Sequence, residues 1–280
     1  MASRDRTLII IGGGEDRSGD KVILGEVARR VGAGKLVVTT VAMPDPDGLF
    51  EQYERAFRAL GVRHVFKLGV NERREATEEA KVRVLEDATG VFFTGGDQMK
   101  ITSQIGDSLV FQRVHEIYRD GGVVAGTSAG ASAMSETMLV EGGQQESFTV
   151  GGSTRMAPGL GLIGGVIIDQ HFAERGRVGR LVGAVAQNPK NIGVGIDEQT
   201  AIVVEGGRSF YVLGSGAVYV IDGTGVGYSN VAEEEANKTL SVHDLHLHVL
   251  SQGDRFDLDS RRPNRLPEEK AKRLPEKQPE

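Results

Sequence analysis

The chain has 280 residues, 39% hydrophobic and 26% charged, with a formal net charge of −6; that is enough apolar material for a large core and excludes wholesale disorder. It contains no Cys, so disulfides, thiolate metal sites and cysteine nucleophiles are all excluded. The last 20 residues carry seven basic and four acidic groups, which leaves 26 basic against 35 acidic in the remainder, a charge of −9 with no general attraction for nucleic acid or anionic lipid.

No apolar run approaches the roughly 18 residues of a membrane span. The run Leu8–Ile11 ends in a glycine turn instead of a secretory cleavage site, so the expectation is a soluble, cytoplasmic protein. In chain order, Thr7–Ile11, Lys35–Val41, His64–Leu68, Val91–Thr94 and Val123–Ala125 are short β-branched runs bounded by Gly or Pro and predict buried strands. Between them, Asp20–Val31, Gly48–Leu60, Ala76–Asp87 and Leu109–Asp120 have helical spacing; in the second, Tyr53, Phe57 and Leu60 share a face. This alternation predicts an α/β fold with a mainly parallel central sheet flanked by helices. Beyond it, Val166–Asp169 and Ile192–Ile196 read as strands around a helix at Val178–Ala186. Ala201–Glu205, Ser209–Leu213 and Ala217–Ile221, separated by Gly-rich turns, predict antiparallel hairpins in the C-terminal half, and Leu245–Leu250 a last strand. Residues 1–260 are expected to form a single α/β domain. Residues 261–280, which hold four of the eight prolines among charges, are expected to be a disordered tail.

Gly126-Thr127-Ser128-Ala129-Gly130-Ala131 follows the apolar run Val123–Ala125 directly, which is the G-x-S-x-G elbow in its strand–turn–helix context. Such a turn aims Ser128 Oγ at the open carboxyl edge of the sheet and leaves the Ala129 N–H at a helix start, ready for an oxyanion. The competing reading makes Ser128 a helix N-cap. A serine nucleophile needs a base, and among six histidines His171 ends the strand Val166–Gln170 at a carboxyl edge. The acid that would orient it is Asp197 or Glu198 in the turn after Ile196; residue chemistry alone does not choose between them. Gly95-Gly96, after the strand ending at Thr94, supplies a second oxyanion N–H, that of Gly96, with Gln98 beyond it able to orient substrate. Arg175, Arg177 and Arg180 follow His171 and suit substrate carboxylates, or else form a solvated helix face. The turn Gly12-Gly13-Gly14 is rejected as a dinucleotide loop because Arg17 stands where a glycine is needed. His243, His246 and His248 lack a remote ligand cluster, and no metal site is assigned.

In their order and spacing, Gly12-Gly13-Gly14-Glu15-Asp16, Phe93-Thr94-Gly95-Gly96-Asp97-Gln98, the Ser128 elbow, Asp169-Gln170-His171-Phe172, the Arg175–Leu181 stretch, Gly195–Ala201 and Val242-His243-Asp244-Leu245 resemble the cyanophycinase family. These are serine peptidases related to aspartyl dipeptidase. The resemblance implies a class I glutamine amidotransferase-like fold and hydrolysis of cyanophycin, a poly-aspartate bearing Arg on each β-carboxyl, to β-Asp-Arg dipeptides. It also implies that Ser128 is the nucleophile, His171 the base and Glu198 the orienting acid. Gln98, Asp169, Gln170, Arg175, Arg177 and Arg180 match substrate-pocket positions. A homodimer with no cofactor and no metal is implied as well. The alternatives are an aspartyl dipeptidase acting on small Asp-X peptides and a non-catalytic binding protein of the same fold. Either catalytic reading expects hydroxyl, imidazole and acid to meet at one rim of a single sheet.

Overall fold

A computed structural model describes residues 6–42, 46–141, 155–233 and 238–265. The first half runs β1 (Thr7–Ile11), α1 (Val22–Val31), β2 (Lys35–Thr39), α2 (Pro46–Ala59), β3 (His64–Leu68), a 3₁₀ turn over Arg73–Thr77, α3 (Glu79–Val84), β4 (Ala88–Phe93), α4 (Gln98–Ile105), α5 (Leu109–Arg119), β5 (Val123–Thr127) and α6 (Ala129–Ser132). It continues through β6 (Thr137–Glu141), β7 (Arg155–Pro158), β8 (Val166–Gln170), α7 (Val178–Gln187), β9 (Ile192–Ile196), β10 (Thr200–Glu205), β11 (Ser209–Gly214) and β12 (Val218–Asp222). The last strands are β13 (Tyr228–Ser229), β14 (Val242–His243), β15 (His246–Leu250), β16 (Asp254–Asp257) and β17 (Arg262–Arg265).

Five parallel strands in the order β1-β5-β4-β2-β3 form the expected α/β core, and antiparallel β10, β11, β16 and β17 extend it beyond β1 into a nine-stranded sheet. β1 is buried along its whole length because both faces are covered, which is why its sequence is a continuous apolar run without alternation. Ile9 and Ile11 pack with Leu24, Val27 and Phe57 of α1 and α2; Leu8 and Ile10 belong to the cluster on the opposite face. Each such side chain contributes about 1.5–3 kcal/mol on burial.

The expectation of a single sheet is corrected. β8 and β9 leave the central sheet and form a second one of four strands, β15-β12-β9-β8. One face of it, through Ile168, Val194, Ile196 and Val220, shares a core cluster with Ile202, Val204 and Val212 of the central sheet. The other face packs Ile167 and Ile221 against Leu181, Ala184 and Val185 of α7. The hairpin expectation holds for β10 and β11, but β12 pairs with β9 and β15, and β11 turns to β16 instead. Periodicity cannot distinguish these pairings, since either sheet buries the same apolar face.

Two local expectations also change. The helix expected over Ala76–Asp87 is a 3₁₀ turn and the short α3, interrupted at Glu78, whose backbone is extended. Thr77 Oγ1 donates to Arg74 O at 2.7 Å just before the break, a local bond that competes with helix continuation. Within the stretch expected to be a disordered tail, Arg262–Arg265 instead forms a strand that pairs antiparallel with β16, and Pro263 is tolerated because β17 is an edge strand. Residues 266–280 lie outside the described residues. Among those described, no helix is long and apolar enough to cross a membrane.

Candidate active site

The turn leaving β1 is the hub of the site. Three consecutive carbonyls there accept backbone N–H groups from three distant loops: Ile11 from Ser128 at 3.1 Å, Gly12 from His171 at 2.7 Å and Gly13 from Gln199 at 2.8 Å. Each donor is a non-glycine residue at positive φ, 53° for Ser128, 47° for His171 and 52° for Gln199. Such conformations cost on the order of 1–3 kcal/mol each and persist where the surroundings over-determine them. Here one turn fixes all three.

Ser128 stands between the end of β5 and the start of α6. Both flanking glycines are required by close approach: a Cβ on Gly126 would lie 2.6 Å from Gly130 O, and one on Gly130 would lie 2.5 Å from Phe93 O. Although Ser128 occupies the N-cap position of α6, its side chain makes no cap hydrogen bond. Its Oγ instead lies 2.9 Å from His171 Nε2. The other imidazole nitrogen, Nδ1, is 2.5 Å from Glu198 Oε1. An ionised carboxylate can only accept, so Nδ1 carries the proton, and Nε2 is left to accept from the serine hydroxyl.

The choice between the adjacent acids has a geometric basis. Asp197 points away from His171, its Oδ1 accepting from Ala173 N at 2.9 Å and its Oδ2 from Ala217 N at 3.1 Å. It braces the His171 loop, whereas Glu198 faces the imidazole. Both lie in the short link from β9 to β10, where the chain passes from the smaller sheet to the larger. The site therefore spans two sheets: Ser128 at the end of β5 in one, and His171 and Glu198 at the ends of β8 and β9 in the other.

Sequence reasoning missed the job of the glycine turn. A Cβ on Gly13 (φ 107°) would lie 2.3 Å from His171 Cε1, and one on Gly14 (φ 60°) would lie 2.7 Å from Glu198 Oε2. The turn is the seat on which imidazole and carboxylate rest. Three glycines directly after a buried strand were the available signal.

On the other side of Ser128, a Cβ on Gly95 would lie 3.4 Å from Ser128 Cβ, so the Gly95-Gly96 turn borders the hydroxyl. The loop and turn hydrogen bonds of the described residues use neither the Gly96 N–H nor the Ala129 N–H. Gln98 starts α4, a helix not expected from the sequence, whose N-cap is Asp97. The Gln98 amide nitrogen donates to Leu139 O at 3.0 Å and Val140 O at 3.2 Å, tying α4 to β6.

The arginines divide by burial. Arg175 is exposed. Arg180 is buried and grips the fully buried Asp169 through both Nε, at 2.6 Å, and Nη2. Arg177 reaches Asp169 Oδ1 at 3.3 Å and Gln170 O at 2.5 Å. Burial holds the Arg177 guanidinium down to about 10, with repulsion from Arg180 and Arg175 acting the same way and Asp169 opposing it. Gln170 Oε1 is buried and has no hydrogen-bond partner among the described residues.

A hydroxyl, an imidazole and a carboxylate in relay order at a carboxyl edge have the arrangement that serine hydrolases use. Residues 8–212 match peptidase family S51, and the chain belongs to that family of serine peptidases. It is 41% identical over 258 residues to a cyanophycinase from Trichormus variabilis, covering 91% of this chain and 86% of the relative. A cyanophycinase from Synechococcus elongatus is 36% identical over 254 residues, 90% of this chain and 79% of the relative. In fold, the chain is similar to the crystal structure of a peptidase from an acI-B1 Actinobacterium, with a TM-score of 0.67 at 20% identity, covering 91% of this chain and 98% of that one. A putative peptidase E protein from Listeria monocytogenes EGD-e matches with a TM-score of 0.51 at 13% identity, covering 75% and 98% respectively.

Proposed function

We propose that this serine peptidase degrades cyanophycin, releasing β-Asp-Arg dipeptides through an acyl-enzyme on Ser128. His171 Nε2 takes the hydroxyl proton as Oγ attacks a backbone carbonyl, and Glu198 orients the imidazole and stabilises its protonated form. The N–H groups of Gly96 and Ala129 hold the tetrahedral oxyanion. His171 then returns the proton to the leaving amine, and water, activated by the same base, releases the acyl group. No cofactor or metal enters the scheme.

The observation that carries the reading is the relay itself, 2.9 Å from Oγ to Nε2 and 2.5 Å from Nδ1 to the acid, in a chain whose cyanophycinase relatives match about nine-tenths of its length. The substrate asks for both signs of charge: guanidinium groups on the polymer need acidic surroundings, and aspartyl carboxylates need basic ones. A body of charge −9 with Arg175 exposed beside the His171 loop offers both. Within the substrate pocket, Arg175 would meet carboxylates directly. Arg177, Arg180 and Asp169 would shape the wall beside Gln170, and Gln98 would hold α4 against β6. We assign the activity to a cytoplasmic homodimer whose α/β body is one domain, as the family resemblance implies. Incubation with insoluble cyanophycin, followed by mass analysis of the soluble products, tests the reading. β-Asp-Arg is expected to accumulate; cleavage of Asp-X dipeptides with cyanophycin left intact would contradict it.

A further inference from the structure

Glu15 follows the glycine turn directly and plays no part in the relay. It is buried, at 5% exposure, and the described ion pairs do not include it. Each of its carboxylate oxygens is taken by a hydroxyl. Tyr53 of α2 donates to Oε1, and Thr127, the residue before Ser128, donates to Oε2 at 2.5 Å. A buried carboxylate held only by hydroxyls is costly to desolvate, and an apolar side chain would fill the same space without that penalty. What the carboxylate adds is a directed link between elements that carry the chemistry. Its backbone belongs to the turn on which His171 and Glu198 rest, while its side chain holds the last residue of β5. Burial and the Glu15 charge both push the Tyr53 phenol well above its ordinary value, so it stays protonated and continues to donate.

We propose that Glu15 is a positioning residue for the nucleophile: by holding the Thr127 hydroxyl it fixes the strained Ser128 turn relative to the imidazole. This rests on Ser128 being the nucleophile. Ser128 N–H donates to Ile11 O, so the backbone already anchors one side of the strained residue. The Thr127–Glu15 bond anchors the side chain just before it. With both in place, Oγ has little freedom to leave the line of the imidazole, and misplacement of a reacting atom by about 1 Å is enough to cost about 100-fold in rate.

The test uses the full chain, a soluble cyanophycin fragment and a fluorophosphonate probe for the serine. Thr127→Val keeps the side-chain shape and removes the donor. Glu15→Gln keeps the shape and forces one hydroxyl to face an amide N–H. Both are expected to lower kcat about tenfold with KM held within about twofold, and to slow probe labelling in proportion. Thr127→Ser, which retains the hydroxyl, is expected to restore both rates. If the variants only melt at lower temperature, with kcat and labelling rate unchanged well below the transition, Glu15 is merely structural and the proposal is overturned. Should Glu15→Gln fail to fold, the Thr127→Val and Thr127→Ser pair decides alone. Unimpaired hydrolysis by Ser128→Ala would instead remove the nucleophile assignment itself, an outcome distinct from any result at Thr127.

Discussion

The two sides of the active site are built differently. Ser128 directly follows β5, a central strand paired in parallel with β1 and β4 in the nine-stranded sheet, and its turn is shaped by the close approaches of Gly126 and Gly130. His171 and Glu198 follow strands of the smaller sheet, where β8 is an edge, and they are held by several side chains packed around them. Asp169 is gripped by Arg180, Asp197 braces Ala173 and Ala217, Phe172 packs on Tyr219 with ring centroids 5.0 Å apart, and the glycine turn after β1 lies underneath. Ser128 is thus set by a tight glycine-flanked turn tied to Ile11 O, and His171 by a surrounding network of packed and hydrogen-bonded side chains. Damage to the second group should reach further.

The largest effect is expected at Arg180. Arg180→Ala leaves Asp169 buried with the longer Arg177 contact and the Gln170 N–H, and removal of one partner of a buried ion pair typically costs about 3–5 kcal/mol. Chemical denaturation should show that loss, while Arg175→Ala, at an exposed position, should leave the midpoint unchanged. Equal stability of the two variants would mean that the His171 side does not depend on this buried pair. A smaller but more specific effect is expected at Gly13. Gly13→Ala adds a Cβ 2.3 Å from the imidazole at a φ of 107°, so the ring must move. Steady-state kinetics should give a drop of about 100-fold in kcat with the fold retained. Wild-type turnover would show that the ring does not rest on this turn.

The same asymmetry governs how much was legible in the sequence. Thr7–Ile11, His64–Leu68 and Ile192–Ile196 form strands with the expected bounds, because each is a short run with β-branched or aromatic residues closed by turn-forming residues. The Ser128 elbow was readable as a contiguous motif. The second sheet was not, because strand periodicity carries no information about which partner a strand chooses. Asp197 and Glu198 were indistinguishable as residue types; only the crossing between sheets sends one side chain to His171 and the other to Ala173 and Ala217. Residues 12–14 suggested a phosphate loop to be excluded, whereas their purpose depends on side chains more than 150 positions away. Pro263 argued against a strand, and only an edge position makes it acceptable. Glu15 stood out only as part of the Gly12–Asp16 landmark, and its link to Tyr53 and Thr127 depends on the fold.

In the proposed reaction Ser128 Oγ, activated by His171 across the two sheets, is the atom that becomes acylated. Intact-mass and peptide mass spectrometry after treatment with a fluorophosphonate measures this directly. A single adduct on Ser128, absent from Ser128→Ala and formed far more slowly in His171→Ala, is the predicted result. An unmodified Ser128 in a preparation that still releases dipeptide, or labelling at the same rate without His171, would contradict the account.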